Sequence, residues 1–402
     1  MVVTECPSTK LRGTKTAINY YAGFSEAFVD YAIKNSALKE GSLILDPWNG
    51  SGTTTAVATR KNLNSIGLDI NPATLLYAYA RLASKQDLKQ ARELFLEIRK
   101  LKVINSRAKI QQARGIDFLW FTKKSTYQLN AFRENIFQIE DEFLKNLLSF
   151  IAVKVFRMQL DNFLCSNPTW IKRPKEKQDL IEFDFKRYLK DFEVTIDSLM
   201  INAEDLSQNP NKLPRLELAS SLTLPLKNSS VDCIVTSPPY CTRIDYAIMT
   251  LPELIWLKMG INDINQLRRN IIGTTTVEKS LEEIKLTPKA QKILNLVQAH
   301  DSKASATYYY KNLKSYFIKM ELSFLELARV LKKTGSLHIV LQDSKYKDLD
   351  LKISEIFAES LEVKGLQVID QSKYMSEGFN YLRGNKEINE VVFRCRKKYE
   401  FN

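Results

Sequence analysis

The chain has 402 residues, 44% of them hydrophobic, enough for a packed core and more than one ordinary domain requires. Lys and Arg outnumber Asp and Glu by 59 to 46, and the resulting net charge of +13 agrees with a polyanionic partner without requiring one. Five scattered cysteines without a CxxC pair argue against a disulfide framework, two histidines (His300 and His338) leave a zinc site poorly supported, and no apolar run approaches the roughly 18 residues of a membrane span, so a cytoplasmic chain without a metal is expected.

Residues 1–14 read as a loose leader. A segment from Ile18 to Phe24 then leads into an amphipathic helix with Ser25 as its cap, and aromatics beside a helix start, here Tyr21 and Phe24, are most simply a hydrophobic staple. Next, Leu43 to Ala56 reads as a strand, a turn through Pro47, Trp48, Asn49, Gly50, Ser51 and Gly52, and a first helical turn with Ser51 or Thr53 available as cap. That is the opening βα unit of an open α/β sheet. Ser65 to Pro72 supplies the second strand, with Asp69 at its end, where a carboxylate holds a ribose. Which nucleoside is bound follows from what the turn lacks: it has neither the third spaced glycine of a dinucleotide fingerprint nor the lysine of a P-loop. Asp46, at the first strand end, suits a cationic ligand better than a phosphate. S-adenosylmethionine, with a charged amino group, a ribose diol and no phosphate, meets these terms.

A helix from Pro72 to Leu82 follows, and then residues 85–211 show long helical periodicities (Leu88 to Leu101, Gln128 to Leu164, Leu180 to Leu199) with almost no strand signal. The block is too long for a connection and reads as an inserted lobe. Within it the loop Ser166 to Lys177 carries Trp170, Lys172, Arg173, Lys175 and Lys177 between prolines. Interleaved basic and aromatic groups suit phosphates and an unstacked base, but sequence alone favours a solvated loop whose tryptophan faces the core.

Val231 to Val235 reads as a buried strand stopped by Thr236-Ser237-Pro238-Pro239-Tyr240. Two prolines hold this turn with few alternatives. By itself it fits a strand end with a core tyrosine; it also fits the gripping of a planar base, with the ring of Tyr240 stacked and Ser237 and the Pro238 carbonyl accepting from an exocyclic NH2. Further on, Arg243, Arg268 and Arg269 are placed either to reach phosphates or to pair with acidic neighbours, and Asp245 is placed to orient the amine or Arg243. Residues 275–305 read as polar and mobile. A long helix from Tyr308 to Leu331, ended at Gly335, precedes strands at Ser336 to Leu341, Leu366 to Asp370 and Glu390 to Arg394.

The segments Asp46 to Thr54 and Thr236 to Tyr240 together resemble the cofactor and catalytic motifs of the amino-group DNA methyltransferases, which modify cytosine N4 or adenine N6. The resemblance covers about residues 15–83 and 215–245 and extends less closely over 310–400. It implies an α/β, Rossmann-like seven-stranded methyltransferase sheet formed by residues 1–84 and 212–402, with 85–211 as a helical insertion and candidate target-recognition lobe. It also implies Ser237, Pro238, Pro239 and Tyr240 as catalytic residues, and a cofactor site drawn from Tyr21, Phe24, Asp46, Trp48, Asn49, Gly50, Ser51, Gly52, Thr53, Asp69, Ile70 and Ser220. Tyr21 and Phe24 are the nearest match to an aromatic segment that closes over the methionine end. Arg215 to Leu226 resembles the family's third strand and the loop that lines the adenine, and Ser220 stands where an acidic residue is common there. The serine in Ser-Pro-Pro-Tyr is the usual cytosine N4 form, so the expected reaction is methyl transfer from S-adenosylmethionine to cytosine N4 in double-stranded DNA, with a cognate restriction or defence component as a possible companion. Adenine N6 is the alternative, and a non-catalytic nucleic-acid-binding relative, in which the catalytic turn would be degraded, is the reading from another class.

Overall fold

The computed structural model describes residues 23–101, 118–165, 170–203, 213–241, 244–276, 284–376 and 388–398. Short apolar runs form strands β1 (Leu43–Asp46), β2 (Asn64–Asp69), β3 (Arg215–Leu218), β4 (Val231–Thr236), β5 (Leu331–Gln342), β6 (Leu366–Ser376) and β7 (Ile388–Lys397). These seven make one sheet in the order β3-β2-β1-β4-β5-β7-β6. Strands β1 to β5 pair in parallel, and β7 runs antiparallel between β5 and β6. The fold is the Rossmann-like seven-stranded sheet of methyltransferases.

The chain steps outward from β1 through β2 to β3, then returns to the other side of β1 for β4. Strand order therefore reverses between β1 and β4, and in open α/β sheets such a reversal leaves a crevice beyond the carboxyl ends of the strands. Both motifs follow those ends.

Side chains alternate across the sheet with the two-residue period of extended backbone. Ile44, Cys233, Val235 and Val340 meet Phe28 and Ala32 of α1 (Glu26–Lys34) and Val57 of α2 (Thr53–Arg60) on one face. Leu45, Ile234, Ile339 and Leu341 belong to the other face, against Phe317, Phe324 and Leu327 of the helix Tyr310–Val330. Ser25 caps α1 as expected, accepting from the Phe28 amide at 3.2 Å.

Two expectations are corrected here. Gly335 does not end the long helix, which stops at Val330; Gly335 lies inside β5, where a Cβ would come within 2.9 Å of the Asp232 carbonyl, so a glycine lets β5 pass close to β4. The stretch 275–305 contains a helix at Pro288–Ala299 whose Leu294 and Val297 are buried, because its apolar residues recur at helical spacing among the polar ones; residues 277–283 lie outside the described part.

The helices α3 (Pro72–Leu82), α4 (Lys85–Lys100), α5 (Lys123–Phe137), α6 (Glu142–Arg157) and α7 (Phe185–Asn202) follow β2. Gln128 to Leu164 is thus two helices, divided where Asp141 caps α6 by accepting from Leu144. Their aromatic core, with Phe95, Phe118, Trp120, Phe132, Phe156 and Phe192, is continuous with Leu76 and Tyr77 of α3 and with Leu251, Trp256 and Leu267 downstream of Tyr240. Among the described residues no helix is long and apolar enough to cross a membrane.

Candidate active site

The turn after β1 uses its glycines for conformation and space. Gly50 and Gly52 lie at φ 49° and 80°, in the left-handed region, and a Cβ on Gly52 would come within 3.0 Å of the Ala78 Cβ on α3. Gly52 occupies the N-cap position of α2 with no side-chain cap, so neither Ser51 nor Thr53 serves as the cap the sequence offered. Ser51 instead accepts from Arg81 Nη2 at 3.2 Å, and Thr53 is buried.

Asp69, at the end of β2, is oriented by two backbone amides: Gly50 N donates to Oδ2 at 3.0 Å and Asn71 N to Oδ1 at 2.9 Å. Loss of solvation nevertheless dominates and pushes its carboxyl up to about 6. Asp69 lines a cleft of about 730 Å³, open mouth included, together with Trp48, Gly50, Ile70 and Ser220. Ser220 accepts from the Leu222 amide at 3.2 Å, which orients its hydroxyl.

Other residues assigned to the cofactor from sequence lie behind this surface. Asp46 is fully buried; Thr236 Oγ1 donates to its Oδ1 at 2.6 Å and the Trp48 amide at 3.2 Å. Burial pushes this carboxyl up to about 7. Its position ties β1 to β4. Asn49 is also buried, accepting from Thr55 Oγ1 at 3.1 Å, and its side chain fills the space beside Gly67, where a Cβ would sit 2.4 Å from Asn49 Cγ. Phe24 packs edge-on against Phe28 at 5.7 Å between centroids and does not line the cleft. Tyr21 and Arg243 lie outside the described residues.

On the other side of the crevice, Ser237, Pro238, Pro239 and Tyr240 line the same cleft. Ser237 Oγ donates its proton to the Val340 carbonyl of β5 at 3.2 Å. With the proton directed at β5, the serine oxygen presents lone pairs only, which makes it an acceptor for an N–H. The turn is braced from behind, since Tyr316 OH donates to the Pro239 carbonyl at 3.0 Å. At Gly273, φ 76°, a Cβ would lie 2.8 Å from the Tyr240 carbonyl, so only glycine permits that loop to close on the motif.

Sequence reading missed the wall that completes the cleft. Tyr246 opens α8 (Tyr246–Met249), which continues into α9 (Leu251–Trp256), and Asn270, Ile271 and Ile272 end α10 (Ile261–Asn270) and begin the Gly273 loop; all four line the cleft, as do Asn71 and Thr74. Asp245 is buried and structural: it caps Ile248 at 3.1 Å and accepts from Arg268 Nε at 2.9 Å and Thr275 Oγ1 at 3.2 Å. Arg268 therefore pairs with an acidic neighbour. The only local signal for this wall was an apolar helix directly after the proline turn.

These residues fit S-adenosylmethionine. A carboxylate held by two amides stands ready for a diol, the glycine turn admits a ligand against the backbone, Trp48 and Ile70 offer apolar surface for a base, and among the described residues no lysine lines the cleft. Residues 6–80 match the DNA methylase family. The chain is a relative of the amino-group DNA methyltransferases. It is 24% identical to the type II methyltransferase M.AvaI of Nostoc sp., over 94% of this chain and 85% of that one. With M.BsoBI of Geobacillus stearothermophilus it shares 23% over 82% and 74% of the two chains, and with M.MvaI of Kocuria varians 24% over 78% and 74%. Among solved structures, a SAM-dependent methyltransferase from Methanosarcina mazei aligns over 92% of this chain and 97% of its own, at 11% identity and a TM-score of only 0.33.

Proposed function

We propose that the chain is a site-specific DNA methyltransferase that methylates the exocyclic N4 amine of cytosine. The observation that carries this reading is that Asp69 and Gly50 line one cleft with Ser237, Pro238 and Tyr240, across the point where strand order reverses. S-adenosylmethionine supplies an electrophilic methyl on a sulfonium. Asp69 holds the ribose diol, and Ser220 and Ile70 adjoin the adenine. Tyr240 stacks on a base turned out of the duplex, which is how enzymes reach an atom inside the stack.

The amine of cytosine is a weak nucleophile because its lone pair is spread into the ring. Ser237 and the Pro238 carbonyl accept its two N–H groups and favour a more tetrahedral nitrogen. No strong base is needed: the N–C bond forms as the S–C bond of the sulfonium breaks in line, its electron pair leaves with the neutral thioether S-adenosylhomocysteine, the amine proton then passes to solvent, and rate comes mainly from alignment. The serine at the head of the motif favours cytosine. Adenine N6 is the second reading, since it offers the same NH2 to the same acceptors. A cognate restriction component fits the type II designation of the relatives.

The test is digestion of duplex DNA, incubated with the chain and S-adenosylmethionine, to nucleosides for mass spectrometry. N4-methyl-2'-deoxycytidine is expected. N6-methyl-2'-deoxyadenosine would select the second reading, and no methylated nucleoside on any duplex would end both.

A further inference from the structure

The loop Trp170–Lys177 departs from its sequence reading. Trp170 is 44% exposed, and the buried indole of this region is Trp120. Trp120 Nε1 donates to the Lys172 carbonyl at 2.7 Å, while the Lys172 amide donates to Phe163 O at 2.9 Å and Ile171 is buried. At the far end Asp179 Oδ2 accepts from the Lys175 and Glu176 amides at 2.9 and 3.0 Å. The backbone is thus anchored while the side chains of Trp170, Lys172, Arg173, Lys175 and Lys177 stand in solvent. Among the described residues none of these four cations makes a salt bridge, although the chain has many others that do.

Position decides what this display is for. The segment α8–α10 leaves the cleft at Tyr246 and returns to it at Asn270, and Arg173 lines a second cavity together with Leu251, Ile255 and Ile264 of that segment. The loop therefore adjoins the element that supplies one wall of the cleft.

We infer that Trp170, Lys172, Arg173 and Lys177 form a duplex-DNA contact flanking the cleft, the cations on phosphates and the indole against a sugar or a base beside the one turned out. This rests on the DNA methyltransferase reading above. Phosphate contacts set affinity and register, an anchored loop lowers the entropy of making them, and an exposed aromatic beside cations is the combination that single-stranded or disturbed DNA favours. Unpaired cations favour an anionic partner, and net charge of +13 agrees with a polyanion.

The experiment measures binding of a labelled duplex, containing a site that the wild-type chain methylates, across a range of salt. For Lys172→Glu/Arg173→Glu we expect affinity to fall about tenfold or more and the slope of log K against log salt to shrink by about 2, one for each phosphate that no longer meets a cation. Trp170→Ala is expected to weaken specific binding and methylation with the salt slope kept, and Trp170→Tyr to restore most of both. S-adenosylmethionine affinity and thermal unfolding should match wild type in all three. Variants that bind and methylate as wild type does, with the same salt slope, would overturn this inference alone. A wild-type chain that neither binds nor methylates duplex DNA would overturn it together with the functional reading.

Discussion

Ser237 is placed by its own hydrogen bond as much as by the prolines beside it. Because the hydroxyl proton goes to Val340, the oxygen can only accept, which is the polarity an amine requires. Ser237→Ala should lower turnover about a hundredfold, comparable with the removal of one polar group facing developing charge, and leave S-adenosylmethionine affinity unchanged in calorimetry. Asp69 gives a pH prediction. Its carboxyl is raised to about 6 in the folded chain, so the ionised form that accepts from a ribose diol is populated only as pH climbs through that value. Cofactor affinity should rise between about pH 5 and pH 7 and then level off. In Asp69→Asn the affinity should be weaker and flat with pH, measured by the same titration. The sign for stability is opposite: below about 3.8 Asp69 is protonated folded or unfolded and costs nothing, between about 3.8 and 6 the unfolded chain ionises first and stability falls as pH rises, and above about 6 the full cost of holding a partly dehydrated charge is present and no longer changes.

At the scale of elements, the wall of the cleft is fastened to the helical insertion by buried charge. Glu253 of α9 is 2% exposed, accepts from Arg157 Nε and Nη2 of α6 at 2.6 Å each and from Tyr77 OH of α3 at 2.6 Å. Arg157 Nη2 also donates to the Met249 carbonyl at 2.7 Å. Arg133 of α5 donates to the Ile255 carbonyl at 3.1 Å, near the end of α9. Three helices from outside the motif thereby hold the segment that begins at Tyr246. A second chain of bonds runs from the cofactor side, where Asn71 Nδ2 donates to Thr250 Oγ1 at 3.0 Å and Thr250 Oγ1 to the Tyr246 carbonyl at 2.8 Å. Removing one partner of a buried pair strands the other, so Arg157→Met should destabilise the chain by about 3–5 kcal/mol in denaturant unfolding, and adding Glu253→Gln should recover part of the loss. A double variant no more stable than the single one would show that the stranded carboxylate is not the cause.

For the whole molecule, the insertion cannot be a detachable lobe. Phe95, Trp120 and Phe156 share one core with Tyr77 and with Leu251 and Trp256, and removing residues 90–205 would bare all of it. Such a deletion is expected to abolish cooperative unfolding and cofactor binding together, read by calorimetry; a deleted chain that still binds S-adenosylmethionine with wild-type affinity would contradict this. Target recognition by the same helices then has to be tested by point substitutions on their surface, as at Trp170.

Residues that act through their immediate neighbours were legible in the chain. The glycine turn, Asp69 at a strand end and the proline-braced Ser237 to Tyr240 each declare their geometry within a few positions, since φ limits and strand periodicity are local properties. Strand order and the crevice between β1 and β4 were implied only by resemblance. What the tertiary structure alone decided is which groups face the ligand: Asp46 and Asn49 turn inward, Tyr246 and Asn270 to Ile272 arrive from later in the chain, and Trp170 stands in solvent while Trp120 is buried. Exposure is settled by packing between elements distant in sequence, and a short motif carries no record of what will be laid against it.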